Sequence, residues 1–372
     1  MSRVRLLCSI SNLNGGGAER VLLHLLRRLP DVGFDVTLLL GARTGQFASM
    51  VPERVPVLEL RTERGYRAVP PVRALLASNR WDVSFSMTSF NMTTALGRML
   101  APRSRTKLVF GARNHYSSAL SREASHPAAR KALVRWLYPR ADLVIAVAED
   151  TRKDLVEHFG VPASVVRTIH NPIDVASVRR QAAEAVSDPW FDGDVPVIVN
   201  AGKLMEAKGH STLLEAFRRV VAVRDARLII LGTGPLRSAL EEEARSKGIE
   251  KRVRFAGFQM NPYAYMARAT TFVLSSLWEG FPNVLVEAMA AGAPVVSTNC
   301  PSGPSEIVED GVSGLLVPTR DPGRLAEALL RVVDSPALQG ALRDGAARAV
   351  ERFSIDRIVE RYAETFAEVA RV

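Results

Sequence analysis

The chain reads as an α/β protein of two doubly wound, parallel-sheet domains in tandem, and three observations lead there. Its 372 residues exceed what one hydrophobic core usually serves. Short, nearly unbroken apolar runs alternate with amphipathic stretches, as parallel strands do when helices cover both faces of a sheet. That alternation stops near position 170 and starts again near 196.

The first half opens with the strand candidate VRLLCSI (4–10), followed by a glycine loop, NLNGGGAER. A helix comes next, with Val21, Leu22, Leu25, Leu26 and Leu29 on one broad face, and DVTLLLG (35–41) is the second strand. Further strand candidates are 82–86, 107–112, 142–147 and 165–170. The segment 172–194 is the expected link. Beyond it, strands at 196–202, 227–232, 252–257, 270–276 and 294–298 alternate with helices near 210–223, 235–247 and 283–291. The pattern alone does not assign the last amphipathic stretch, SIDRIVERYAETFAEVARV, to either half. Our division is an N-terminal domain at 1–175, a C-terminal domain at 176–354, and a final helix at 355–372 expected to pack back on the first domain. Open α/β sheets bind ligands at the carboxyl ends of their strands, so two such domains facing each other would form a central cleft.

Composition is that of an ordinary globular protein, 47% hydrophobic and 24% charged. Cys8 and Cys300 are too few and too distant for a disulfide framework or a zinc site, and they suit a reducing cytosol. No signal-peptide core opens the sequence and no apolar run approaches a membrane span, so a soluble or peripheral protein is expected. The net charge of +10 is uneven. Residues 1–175 carry 25 Lys and Arg against 14 Asp and Glu, so the whole basic excess lies in the first half. An anionic membrane surface or a phosphate-bearing substrate would meet that half first; nucleic acid is not expected. A compositional bias (42 Arg against seven Lys) explains Arg over Lys, but not the missing acids.

The stretch SSLWEGFPNVLVEAMAAGAPVV places Glu279 and Glu287 on either side of a Pro-Asn step. Asn283 reads as a helix N-cap and Gly292 as the helix end. Free N–H groups at Val284 and Leu285 would then make an anion site, with both carboxylates within reach of sugar hydroxyls. Taken singly, Glu279 is a solvated loop residue and Glu287 a surface helical one. Gly15, Gly16 and Gly17 lie between strand and helix but do not spell G-x-G-x-x-G, which disfavours a nicotinamide cofactor. A plain turn needs one glycine; three let backbone approach a ligand at the positive end of a helix. RNHYSS (113–118) follows a strand, with His115 the candidate there. His170 marks the interdomain turn, while His24, His126, His158 and His210 read as helix or surface positions.

EGFPNVLVEAMAAGAPVV strongly resembles the Glu-x7-Glu motif of retaining family 4 glycosyltransferases, which have the GT-B fold of two Rossmann-like domains facing a cleft. GGAER, AGKLMEAKG and PSEIVEDGVSGLLVP extend the resemblance, in order, over nearly the whole chain. It implies that Glu287 holds the ribose hydroxyls of a nucleotide-sugar and Glu279 the hexose. Gly280, Phe281, Asn283 and Val284 would hold the sugar and diphosphate, Phe258 would lie by the base, and Gly16 and Gly17 would approach the donor. Lys203 and Lys208 fall where the family has a diphosphate-binding Arg and Lys; Lys203 gives up the bidentate geometry of Arg. His115 matches a histidine near the sugar, and with Glu279, Lys203 and Lys208 completes the catalytic set.

The activity implied is metal- and cofactor-independent retaining transfer of a hexose or N-acetylhexosamine from a UDP-sugar, with no protein nucleophile assigned. The wording of GGAER and CPSGPSEI resembles enzymes that build lipid-linked oligosaccharides, which implies a polyprenyl-diphosphate-linked acceptor. RKALVRWLYPR (130–140) sets basic beside aromatic residues, so peripheral attachment to the cytoplasmic face of the inner membrane is expected. Two alternatives stand beside this reading: a nucleotide-sugar 2-epimerase of the same fold, and an inactive nucleotide-sugar-binding subunit.

Overall fold

The computed structural model describes residues 3–62, 64–122 and 126–371. The chain forms two units, Met1–Pro172 with Ile355–Val372, and Ile173–Ser354. Among the described residues of the first unit seven strands run parallel: β1 (Val4–Ile10), β2 (Phe34–Leu40), β3 (Val57–Glu59), β4 (Val83–Met87), β5 (Lys107–Ala112), β6 (Leu143–Ala146) and β7 (Val166–Thr168). Their order in the sheet is β3-β2-β1-β4-β5-β6-β7. The central strands are mostly apolar because both faces are covered, whereas the edge strand β3 is largely exposed. Leu6, Cys8 and Ile10 face a core shared with the helix Gly17–Arg28, whereas Leu7, Leu108 and Phe110 face one shared with the helices Gly65–Ala77 and Pro127–Leu137.

The last helix, Ile355–Arg371, contributes Ile358, Val359, Tyr362 and Phe366 to the first of those cores. Val372, the end of the expected helix, lies outside the described residues. The Phe85 ring on β4 stands 5.9 Å from Tyr362 and 5.2 Å from Phe366. Each such buried side chain contributes roughly 1.5–3 kcal/mol. A segment distant in sequence thus completes the first hydrophobic core.

The second unit has six parallel strands: β8 (Val197–Ala201), β9 (Arg227–Leu231), β10 (Val253–Gly257), β11 (Thr271–Leu274), β12 (Val295–Thr298) and β13 (Leu315–Val317). Their order is β10-β9-β8-β11-β12-β13. One face packs on the helices His210–Val221 and Pro322–Val333, and the helices Pro262–Arg268 and Asn283–Ala290 lie against β8 and β12. In both sheets strand order reverses beside the first strand, between β1 and β4 and between β8 and β11. Ligands of doubly wound sheets bind at that switch.

The segment RKALVRWLYPR departs from the interfacial helix expected of it. Val134, Leu137 and Tyr138 are buried in the core of the first unit, so its apolar face is already used. Trp136 stays 44% exposed, with the Arg140 guanidinium 5.0 Å from its ring centre. Among the described residues no helix is long and apolar enough to cross a membrane.

Candidate active site

Lys208 and Glu279 are 71 residues apart in sequence but follow β8 and β11, which are neighbours at the switch point. The loop after β8 ends in a short 3-10 turn, Glu206–Lys208, closed by Gly209 in the left-handed region at φ 61°. A Cβ at Gly209 would lie 2.1 Å from the Ser275 carbonyl, so only glycine lets the two loops approach this closely. The Leu277 N–H donates to the Ala207 carbonyl at 2.7 Å, and Ser275 Oγ to the Lys208 carbonyl at 2.8 Å. These bonds bring Lys208 Nζ to 2.6 Å from Glu279 Oε1. Glu279 is buried, and leaving a carboxylate there without a partner would cost several kcal/mol. The sequence shows no basic neighbour for it; the fold supplies one.

The loop holding Glu279 is also tied to the loop after β12. Thr298 Oγ1 donates to the Ser276 carbonyl and Ser302 Oγ to the Gly280 carbonyl, each at 2.6 Å, and the Glu279 N–H to Pro301 at 3.2 Å. Gly280 and Phe281 are buried within this frame. The following helix, Asn283–Ala290, differs from expectation at its start. Asn283 is the first helical residue and Pro282 the N-cap, without a side-chain cap bond. The proline ring fixes φ at -77° there, the Pro282 carbonyl accepts the Leu285 N–H at 2.9 Å, and the Asn283 N–H bonds to the Phe281 carbonyl. The Leu285 N–H is therefore not free for an anion; Val284 is part-exposed beside it. Gly292 closes the helix at φ 87° with its N–H on Met289, as expected. Glu287, one turn in, is 6% exposed rather than a solvated surface residue.

The other residues read from the sequence are more scattered. Lys203 follows β8 and is exposed. Phe258 is 56% exposed just beyond β10, an edge strand two places from β8. Gly16, Gly17 and His115 belong to the first unit. Gly16 caps the helix Gly17–Arg28, and a Cβ there would touch a Glu19 carboxylate oxygen at 2.5 Å, so an acidic side chain already faces that positive end. His115 Nδ1 shares a hydrogen bond with Ser118 Oγ at 2.9 Å, and Nε2 stands 3.9 Å from Asp154. Asp154 is buried and accepts from Ser117 N at 3.0 Å and from Ser117 Oγ. Arg113 turns inward instead of towards a ligand, donating to Asn171 Oδ1 at 2.7 Å and Tyr362 Oη at 3.1 Å.

Sequence reasoning missed Ser276, a fully buried residue whose hydroxyl donates to Glu279 Oε1 at 2.6 Å. The Ser-x-x-Glu spacing was its only trace. His210, read as a helix or surface position, is the first residue of the helix His210–Val221, but its burial was not foreseen: it is 2% exposed and neither ring nitrogen has a partner. Burial first, and the Lys208 charge second, lower its pKa from 6.5 to about 4. Among the described residues no group of three or more His, Cys, Asp or Glu is gathered as a metal site.

Two parallel Rossmann-like sheets, with a lysine–glutamate pair at the switch of the second, define the class: a GT-B fold. The family comparisons divide in the same way. Residues 15–177 match the model described as Glycosyltransferase Family 4, and residues 195–335 the model described as Glycosyl transferases group 1. The chain is a GT-B glycosyltransferase. It is 28% identical to a Campylobacter jejuni N-acetylgalactosamine-N,N'-diacetylbacillosaminyl-diphospho-undecaprenol 4-alpha-N-acetylgalactosaminyltransferase, over 95% of this chain and 97% of that one. A lipopolysaccharide core biosynthesis glycosyltransferase of Rhizobium meliloti is 37% identical, over 47% of this chain and 50% of its own. Among solved structures, Anabaena HepE in complex with UDP and glucose superposes with a TM-score of 0.82 at 22% identity, over 98% of this chain and 100% of that one, a likeness of fold.

Proposed function

We propose that this glycosyltransferase moves a hexose or N-acetylhexosamine from a UDP-sugar, with retention of configuration, to a polyprenyl-diphosphate-linked acceptor in polysaccharide or glycan assembly. The observation that carries the reading is the Lys208–Glu279 pair at the switch point of the second unit. An ammonium has three donors, and one on Glu279 leaves two for a diphosphate oxygen. In this role Lys208, with Lys203, offsets charge on the departing diphosphate without a metal, while Glu279 and Glu287 accept from sugar and ribose hydroxyls. The acceptor class is suggested by the name of the Campylobacter relative and by the basic excess of residues 1–175, which suits a membrane-borne diphosphate. On the same grounds we place the protein peripherally at the inner face of the membrane.

Labelled UDP-sugars incubated with and without a polyprenyl-diphosphate-linked sugar, in the presence of EDTA, test the reading. Acceptor-dependent UDP release with an axial product linkage is expected. Epimerised sugar without an acceptor, or binding without turnover, would replace it by the 2-epimerase or the inactive subunit.

A further inference from the structure

Glu279 is held from two sides on one oxygen. Lys208 Nζ and Ser276 Oγ both lie 2.6 Å from Oε1, and among the described residues no hydrogen bond reaches Oε2. The two donors are unlike. Lys208 is a long side chain, part-exposed, with donors to spare. Ser276 is short and fully buried, and Thr298 Oγ1 fixes its carbonyl at 2.6 Å. A phosphate arriving at Lys208 would draw the ammonium towards itself, yet nothing in that event moves Ser276. We propose that Ser276 is a positioning residue for transfer: it holds Glu279 so that Oε2 alone faces a donor-sugar hydroxyl, and thereby sets which sugar epimer is accepted. The inference rests on the reading of Glu279 as a sugar contact.

A single acceptor oxygen in a fixed direction discriminates between epimers because one of them presents its hydroxyl elsewhere and leaves Oε2 without a donor. Without Ser276, Glu279 keeps its ion pair but follows Lys208. The test compares the unmodified chain with Ser276→Ala, Ser276→Thr and Thr298→Val. Calorimetry with UDP, which carries no hexose, is expected to give unchanged affinity for Ser276→Ala. Its kcat with the preferred of UDP-GlcNAc and UDP-GalNAc should fall about tenfold, the scale of one hydrogen bond to a charged group. The ratio of kcat/KM between these two C4 epimers should fall towards one. Ser276→Thr keeps the hydroxyl and should restore both, and Thr298→Val should fall between. Should Ser276→Ala not fold, Ser276→Cys, a weaker donor of similar shape, is read in its place. Unchanged kcat and epimer ratio, or equal loss of UDP affinity and turnover, overturns the inference. If neither N-acetylhexosamine is transferred, the same comparison is made with the C4 epimers UDP-glucose and UDP-galactose; an unmodified chain that transfers none of the four refutes the proposed function and the inference with it, an outcome distinct from failure of the variants alone.

Discussion

At the scale of single residues, burial separates side chains that the sequence presents as equals. Glu287 is nearly buried, so if it accepts from both ribose hydroxyls, Glu287→Ala should weaken UDP binding by roughly 1.5–3 kcal/mol, measured by calorimetry with UDP alone. Unchanged affinity in a folded variant excludes the ribose role. Lys203 and Lys208 separate in a different way. Either removal should lower turnover more than it raises the donor KM, because charge on the diphosphate grows in the transition state. Only Lys208→Ala should also lower the melting temperature, because only Lys208 pairs a buried carboxylate. Lys203→Arg should be tolerated. His210 supplies a pH dependence. Its pKa falls from 6.5 to about 4 on folding, so the stability gained by keeping it neutral is fully present above pH 6.5. That stability is lost as pH falls from 6.5 towards 4, about 3 kcal/mol at most. His210→Leu should flatten that acid limb in melting curves and cost little at pH 8, since neither ring nitrogen has a partner to lose. A limb as steep as in the unmodified chain would refute this.

Among the elements, length decided what could be read. The strands of four to seven residues at the sheet centres announce themselves as apolar runs, and VRLLCSI coincides with β1. The three-residue edge strands β3 and β13 went unread, because three residues carry no period, whereas β7, equally short, was found only as part of the longer run 165–170. The helix starting at Asn283 was legible in place but not in its cap, since Pro282 and Asn283 can each begin a helix. The site was half legible. Glu279, Glu287 and Lys208 stand out in their motifs, but the partnership of Lys208 with Glu279 depends on β8 adjoining β11, which only topology reveals. The side of the first sheet taken by the last helix was equally hidden. Phe366 is fully buried against Phe34, Phe85 and Tyr362, at 6.2, 5.2 and 5.7 Å between ring centres. Phe366→Ala should therefore cost about 3–5 kcal/mol in denaturant unfolding of the first unit. A loss below 1 kcal/mol would mean that the helix is dispensable there.

Across the whole molecule, the arginine excess of residues 1–175 remains after the structure has taken the apolar side of 130–140 into a core. Attachment to a bilayer would then be mainly electrostatic. The protein should sediment with liposomes rich in anionic lipid at low salt and be released by roughly 0.5 M salt, where the Debye length is shorter than at physiological ionic strength. No sedimentation at low salt, or equal activity on a soluble acceptor, would refute the surface role. The first unit is also discontinuous, with Ile173–Ser354 inserted between its two parts. On the ribosome, where chains emerge at roughly 5–20 residues per second, the second unit is complete while the first still lacks its closing helix. For that interval Phe34 and Phe85 await Phe366, the partner encoded downstream of the whole second unit. A released chain truncated after Ser354 should thus expose the first unit to protease and chaperones while the second already resists them, so the order of maturation runs against the order of synthesis.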